Sequence, residues 1–472
     1  MVLYDGDMAF CPVGAVAQMV AHLHARFAPI CAEVLNEVRR SFCFTTFVDH
    51  AGRGKYSNVV QGSPSAVACH PVLASGRTGL AQEEQDCEEQ WLGAVTHARG
   101  ARHLFKRGLL SPRLMEPPWW RLPSVIPLLL AVSALLIVIV GGSIRINDAG
   151  ESCPEWPTCF GTWHFIVSEE DQGAYWAENP DQIDSRGEDH RYTVFQIFVE
   201  WFHRMLVGVI ALPIVYNVIA ARKARERYGR GVERAAQFSA VLLVVQATAG
   251  YVTVRFDNAD WTVALHLSLA CLFMACLIWQ YMAMRIEEGA DWGFLQAPRD
   301  FVEAHSKRVY SMTAAVGVLL VLGAWVSSSA GGQYNQSCSV GFPNGWPKCQ
   351  GSILPSLDSP GIFIQFMHRS GALLVGLVLV LGVVNLKSAS QGQPGTSQIV
   401  RLALLTMAMW MFNVMVGASY LIFAKVGDFP EWLSLLHLVG GVAAFLAAML
   451  LTFAMRFSRS HDRGAQQQGE QE

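Results

Sequence analysis

The chain is short of charge. Lys, Arg, Asp and Glu together supply 15% of its 472 residues, whereas 52% are hydrophobic. An ordinary soluble domain carries about 25% charged residues, so a water-soluble globular protein is excluded for most of this length. The cysteines lack a zinc-finger pattern: Cys11, Cys31, Cys43, Cys69 and Cys87 are irregularly spaced. Residues 1–114 lack both a run long enough to cross a bilayer and a clean helical or strand period. They also lack a cleavable signal, and the acidic stretch from Glu83 to Glu89 argues against a transit peptide. The net charge of -3 says nothing of partners; its distribution does, and no nucleic-acid partner is expected.

What the chain does have is apolar runs near the ~20 residues that span a hydrocarbon core. About eight spans are expected, over 122–142, 194–220, 236–256, 260–285, 308–330, 362–386, 400–424 and 431–456. Basic residues mark alternate ends. Arg113 and Arg121 precede the first span, and six cluster between Ala221 and Arg234. Lys307 and Arg308 precede the fifth span, Lys387 and Arg401 flank the sixth connection, and Arg456 and Arg459 follow the last. The positive-inside bias then places these, and both termini, on the cytoplasmic side of the membrane. Loops 147–190 and 331–359, the first rich in Asp and Glu, face outward.

The expected fold is an all-α integral membrane protein of two parallel four-helix-bundle repeats. Residues 1–114 read as a cytoplasmic extension, disordered or preceding the true start, since Met115 opens a typical membrane-protein N-terminus. Residues 115–285 form the first half, 286–307 a cytoplasmic linker, 308–458 the second half and 459–472 a polar tail. The repeat rests on landmarks in identical order. In the first half these are Gly141-Gly142, Cys153 and Cys159, Glu200-Trp201-Phe202-His203-Arg204, Gln246 to Gly250, and His266. In the second they are Gly331-Gly332, Cys338 and Cys349, Gln365-Phe366-Met367-His368-Arg369, Asn413 to Gly417, and His437.

Four histidines, His203, His266, His368 and His437, thus enter from the outer side to a matched depth of roughly 10–13 Å at 1.5 Å per residue. A neutral imidazole in lipid is costly unless held, and a metal is its commonest holder. Two histidines on facing helices at one depth suit axial ligation of haem iron. Thiolates and carboxylates are few at that depth, which disfavours zinc and leaves haem or copper. Glu200 lies one turn outward of His203 on the same face, and an intramembrane carboxylate points to function. It could take a proton or stabilise a cationic intermediate. Its counterpart Gln365 cannot carry charge, so the first site is expected to do chemistry and the second only to hold a cofactor. Arg204 and Arg369 could pair with haem propionates or form internal ion pairs. Cys153 with Cys159, and Cys338 with Cys349, lie where disulfides form. The first pair reads equally as staple or redox couple, the second as staple. Cys271 and Cys276 read as packing residues.

This ordered set resembles the heme A synthase family, in its bacterial cysteine-containing branch, over residues 120–456. The resemblance rests on Gly141-Gly142 with Arg145, Glu200-x-x-His203-Arg204, His266, His368-Arg369, His437 and the outward cysteine pairs. It implies oxidation of the ring methyl of haem O to a formyl group by successive hydroxylations, giving haem A for terminal oxidases. It implies that His203 and His266 bind substrate haem O, that His368 and His437 ligate haem b, that Glu200 is the essential acid, and that Cys153 and Cys159 are disulfide-bonded. It further implies a haem farnesyltransferase upstream, a terminal oxidase assembly downstream and an electron acceptor of unknown identity; a homo-oligomer is compatible. The first outward loop is longer and more acidic than the family suggests, and Trp163, His164, Tyr175 and Trp176 are expected to cover the substrate site. Two other readings compete. A di-haem membrane cytochrome exchanging electrons with quinone explains four histidines but needs neither Glu200 nor the asymmetry. A transporter explains the repeat but not the paired histidines.

Overall fold

A computed structural model of the chain describes residues 122–327 and 337–469, with a separate antiparallel pair, Phe47–Val48 against Gly54–Lys55. Apart from that pair, residues 1–114 and the readings made of them, like the landmark Gly331-Gly332, lie outside the described residues. Among the described residues, eight helices are long and apolar enough to cross a membrane. They are α1 (Val125–Ile146), α3 (Val194–Lys223), α4 (Arg225–Arg255), α5 (Asp260–Glu287), α6 (Arg299–Ser327), α7 (Pro360–Ala389), α8 (Thr396–Phe423) and α9 (Glu431–Gly469); a short α2 (Glu169–Glu178) lies in the first long loop. The membrane region is all-helical, and the protein is a multi-pass membrane protein. Leu129, Leu212, Val244, Leu373 and Leu381 point outward from the spans, as expected where lipid rather than water covers the surface.

The eight expected spans correspond one to one with these helices, and the differences lie at the polar ends. Helix α4 starts at Arg225, inside the stretch read as a basic connection. Arg and Glu are good helix formers, so the only break is a kink at Gly229, whose φ of 79° belongs to a left-handed backbone. Helix α6 reaches back to Arg299, into the expected linker, and α9 runs on to Gly469 through the expected polar tail. Hydropathy marks only the part of a helix that lies in hydrocarbon.

Up-and-down alternation puts loops 147–193, 256–259, 337–359 and 424–430 at one end, called here the loop end. Two helix starts at that end carry side-chain caps. Thr193 and Gln196 form a reciprocal capping box at the start of α3, and the Ser359 hydroxyl accepts from the Ile362 N–H with Pro360 in the first turn of α7. The fourth span of each half, α5 and α9, is the most enclosed; these two helices carry His266 and His437. Buried polar groups fix their packing. Asn217 of α3 and Gln280 of α5 exchange two amide hydrogen bonds of 2.9 Å. In the second half, the Thr313 hydroxyl of α6 bonds the Ala448 carbonyl of α9 at 3.0 Å. At the opposite end Glu288 is a buried knot, accepting from the Ser124 hydroxyl at 2.5 Å and the Tyr228 hydroxyl at 2.9 Å.

The first long loop is an ordered cap. Ser168 and Asp171 form the capping box that starts α2. Cys153, Cys159, Phe160, Val167, Trp176, Tyr192 and Ile197 make a small core of its own, with Phe160 edge-on to Trp176 at 5.2 Å.

Candidate functional site

His203 lies nine residues after the start of α3, His266 six into α5, His368 eight into α7 and His437 six into α9. The matched depth read from the sequence is therefore present in the structure. His203 and His266 both line one cavity of about 520 Å³ at the loop end of the first half, within the ~300–1,000 Å³ of cofactor and small-molecule sites. Glu200, Arg204, Gln246 and Phe273 share its wall, and Leu438 of α9 closes one side. In the second half, His368 and His437 face each other with ring centroids 6.2 Å apart and planes at 89°. Two metal–nitrogen bonds of about 2 Å plus the half-width of each ring sum to about this separation. Among the described residues no three His, Cys, Asp or Glu side chains gather as a bare-ion site. The histidines stand as pairs.

Glu200 is 3% exposed and held by three donors: Arg204 Nη2 at 2.5 Å, the Ser152 hydroxyl at 2.9 Å and the Cys153 N–H at 3.0 Å. Its carboxyl group is thus held at the cavity wall beside a guanidinium. Gln365, at the same place in α7, is equally buried.

Both arginines clamp loops. Arg204 Nη1 donates to the carbonyls of Glu155 and Thr158, and Nη2 to that of Cys153 at 2.6 Å. Arg369 Nη1 donates to the carbonyls of Gly345 and Lys348, at 2.7 and 3.0 Å. The pairs of carbonyls are equivalent, one before a Trp-Pro and one after it. Each clamp leads into a disulfide, Cys153–Cys159 or Cys338–Cys349. A two-residue hairpin follows in both, Phe160-Gly161 and Gln350-Gly351, all four residues at positive φ. The arginines differ at one edge. Nη2 and Nε of Arg369 are buried without a hydrogen-bond partner, where Nη2 of Arg204 holds Glu200.

The cavity mouth differs from the sequence expectation. Trp163 and His164 are exposed, and Trp176 is buried inside the cap's own core. The wall there comes from Trp156, Gln182, Arg186 and Asn258, with Arg145 from the end of α1. Arg186 pairs with Asp148 at 3.1 Å. Glu151, buried beneath, accepts from the Asn258 amide at 2.8 Å and so latches the cap to the α4–α5 turn. Burial pushes the Glu151 carboxyl above its ordinary value, more than Asn258 and Arg186 lower it.

Sequence reading missed Ser152 and the fuller repeat Trp156-Pro157-x-Cys159-x-Gly161-Thr162 against Trp346-Pro347-x-Cys349-x-Gly351-Ser352. Aligning the halves on the second cysteine of each pair exposes it. It also paired Gly141 with Gly331. By contact the partner of Gly141 is Gly323, because each lies against the first histidine of its half.

These features define a duplicated, eight-span helical membrane protein with paired intramembrane histidines and a buried carboxyl group, Glu200, one turn from the first of them. Residues 124–464 match the family described as cytochrome oxidase assembly protein, and the chain belongs to this family, that of the heme A synthases. It is similar to the heme A synthase of Rhizobium etli, 28% identical over 344 residues that cover 66% of this chain and 83% of the relative. The heme A synthase of Cereibacter sphaeroides is 27% identical over 348 residues, covering 65% and 84%. That of Beijerinckia indica is 26% identical over 345 residues, covering 65% and 86%.

Proposed function

We propose that this chain is a heme A synthase: it oxidises the ring methyl of haem O to a formyl group by successive hydroxylations and delivers haem A to terminal oxidases. The observation that carries the reading is the asymmetry between like halves. Both present a histidine pair at one depth, but in the first Glu200 lies in the wall of the same cavity as the pair, where the second half has Gln365 at the equivalent position. Substrate haem O would lie between His203 and His266. The 6.2 Å facing pair His368 and His437 fits a resident haem b, which would supply a one-electron relay.

The protein's own residues do the rest. His203 and His266 orient the substrate iron from two sides, so the methyl reacts at the macrocycle edge rather than through oxygen bound at the metal. Glu200, locked by Arg204, Ser152 and the Cys153 N–H, is a preorganised anion beside the reacting edge. It favours the positive charge that develops as electrons leave the methyl carbon. Water supplies the oxygen, and each hydroxylation releases two protons and two electrons. The electrons pass to an acceptor outside this chain, and a haem farnesyltransferase supplies the substrate. The cap over the cavity, held by Arg204 and by the Glu151–Asn258 latch, limits water access. In this reading the loop end faces outward from a bacterial inner membrane, and both termini lie in the cytoplasm.

The test is pigment extraction from cells making haem O with and without the protein. Haem A appears only with it; its absence under full expression overturns the reading. Growth in oxygen-18 water labels the formyl oxygen, and label from dioxygen instead overturns the water route. A simple di-haem carrier would leave haem O unchanged.

A further inference from the structure

We propose that four glycines, Gly141, Gly250, Gly323 and Gly417, are positioning residues that set the ring orientation of the four histidines. Each lies on the helix beside its histidine, and each meets the same edge of the ring. A Cβ built on Gly141 would lie 3.2 Å from His203 Cε1, on Gly250 3.0 Å from His266 Cε1, on Gly323 3.0 Å from His368 Cε1 and on Gly417 2.6 Å from His437 Cε1. In all four the next-nearest atom is Nδ1. Four independent helix pairs make one contact with one ring edge.

The physical reason lies four residues earlier on the glycine's helix. The carbonyl at position i−4 accepts from the N–H at position i, and a Cβ at i would keep a planar ring away from that carbonyl. Without it the imidazole reaches the backbone. His437 Nδ1 lies 2.9 Å from the carbonyl of Asn413, four before Gly417. The His203 ring approaches the carbonyl of Ile137, four before Gly141, and the His266 ring that of Gln246, four before Gly250. In these two, and in His368, Nδ1 makes no full hydrogen bond, so His437 shows the contact at its tightest. An Nδ1–H turned to the backbone fixes the tautomer and leaves the Nε2 lone pair for a metal, the arrangement that tunes histidine ligands generally.

This inference rests on the haem reading of the histidines, and its test separates the two. Wild type, Gly141→Ala, Gly250→Ala, Gly323→Ala and Gly417→Ala are purified from cells supplied with haem. Gly208→Ala serves as the control, since a Cβ there meets nothing within 4 Å. Haem b retention and its visible spectrum and midpoint potential report the second half; titration with haem O reports the first. Gly323→Ala and Gly417→Ala are expected to weaken haem b retention about 10-fold and leave haem O binding intact. Gly417→Ala, with the tightest contact, should also raise the potential, because His437 loses its carbonyl partner and becomes a weaker base. Gly250→Ala is expected to weaken haem O binding about 10-fold and spare haem b; Gly141→Ala acts the same way but less. The half left intact shows that each variant is folded. If Gly417→Ala does not accumulate, Gly323→Ala decides the same site. A colourless wild type overturns the haem reading. A coloured wild type with four unaltered variants overturns the glycine proposal, as does equal loss from both halves in every variant.

Discussion

Glu200 and Arg204 lie one helical turn apart on α3 and meet at 2.5 Å, both almost wholly buried. The same guanidinium grips the loop that ends in the Cys153–Cys159 disulfide. A carboxylate at the cavity wall, the histidine helix and the cap are therefore one hydrogen-bonded unit, and a change at either residue is felt by all three.

Replacing Glu200 by Gln keeps the volume and two of the three donors but removes the charge. Under the proposed mechanism the hydroxylation rate falls by about 10²–10³-fold, the cost of losing one preorganised electrostatic partner. Haem binding in both halves stays at wild-type levels, because Glu200 is no ligand. Single-turnover conversion of haem O, with visible spectra as the binding control, checks it. Full activity in the variant would remove Glu200 from the chemistry.

Arg204→Ala leaves Glu200 buried without its cation, and breaking a buried pair from one side costs about 3–5 kcal/mol. Arg369→Ala removes two carbonyl bonds at the equivalent turn but strands no carboxylate, because Gln365 stands there. The first variant is expected to lose more thermal stability than the second. The double variant Arg204→Ala with Glu200→Gln should recover part of the loss. Thermal unfolding in detergent compares the three.

The architecture was legible in the sequence because lipid imposes it. Every backbone bond must close within a helix, so apolar length alone located eight spans, and the histidines stood out as polar residues in an apolar field. The repeat was legible from the order of rare residues. The arginines were not settled, because a guanidinium beside a histidine suits a propionate or a backbone clamp equally until the loop is folded over it. The cap was also hidden. Its core is seven residues scattered from Cys153 to Ile197, with no period to betray them. Trp163 and Trp176 look alike as letters, yet one is exposed and the other buried away from the cavity. The glycines were hidden for a different reason: small residues are common in membrane helices, and only contact shows which of them touch an imidazole.

The Glu151 latch carries a pH signature. Burial raises this carboxyl in the folded protein, so the folded state holds the proton more tightly than the unfolded chain. Its contribution to stability is greatest below the unfolded carboxylate value and declines as pH rises through the raised folded value. Glu151→Gln keeps the hydrogen-bonding shape without the titration. Its stability profile should be flatter than wild type across the weakly acidic range, measured by thermal unfolding at a series of pH values. Profiles of identical slope would show that Glu151 titrates alike in both states.

The disulfides are expected to behave as staples. Cys153 and Cys159 are fully buried under the cap, and Cys338 and Cys349 nearly so, so an external thiolate has no approach to either sulfur pair while the loop stays folded. Native protein treated with a mild membrane-impermeant reductant and then an alkylating agent should show no label on these four residues, whereas unfolded protein should show all four. Replacing Cys153 and Cys159 together by Ser should cost about 2–4 kcal/mol and loosen the clamp on Arg204. The first activity to suffer is then hydroxylation rather than haem b binding, because the second half keeps its own turn, its own disulfide and its own arginine. Rapid labelling of Cys153 in the native state would instead show a cap that opens, and would return the pair to a redox role.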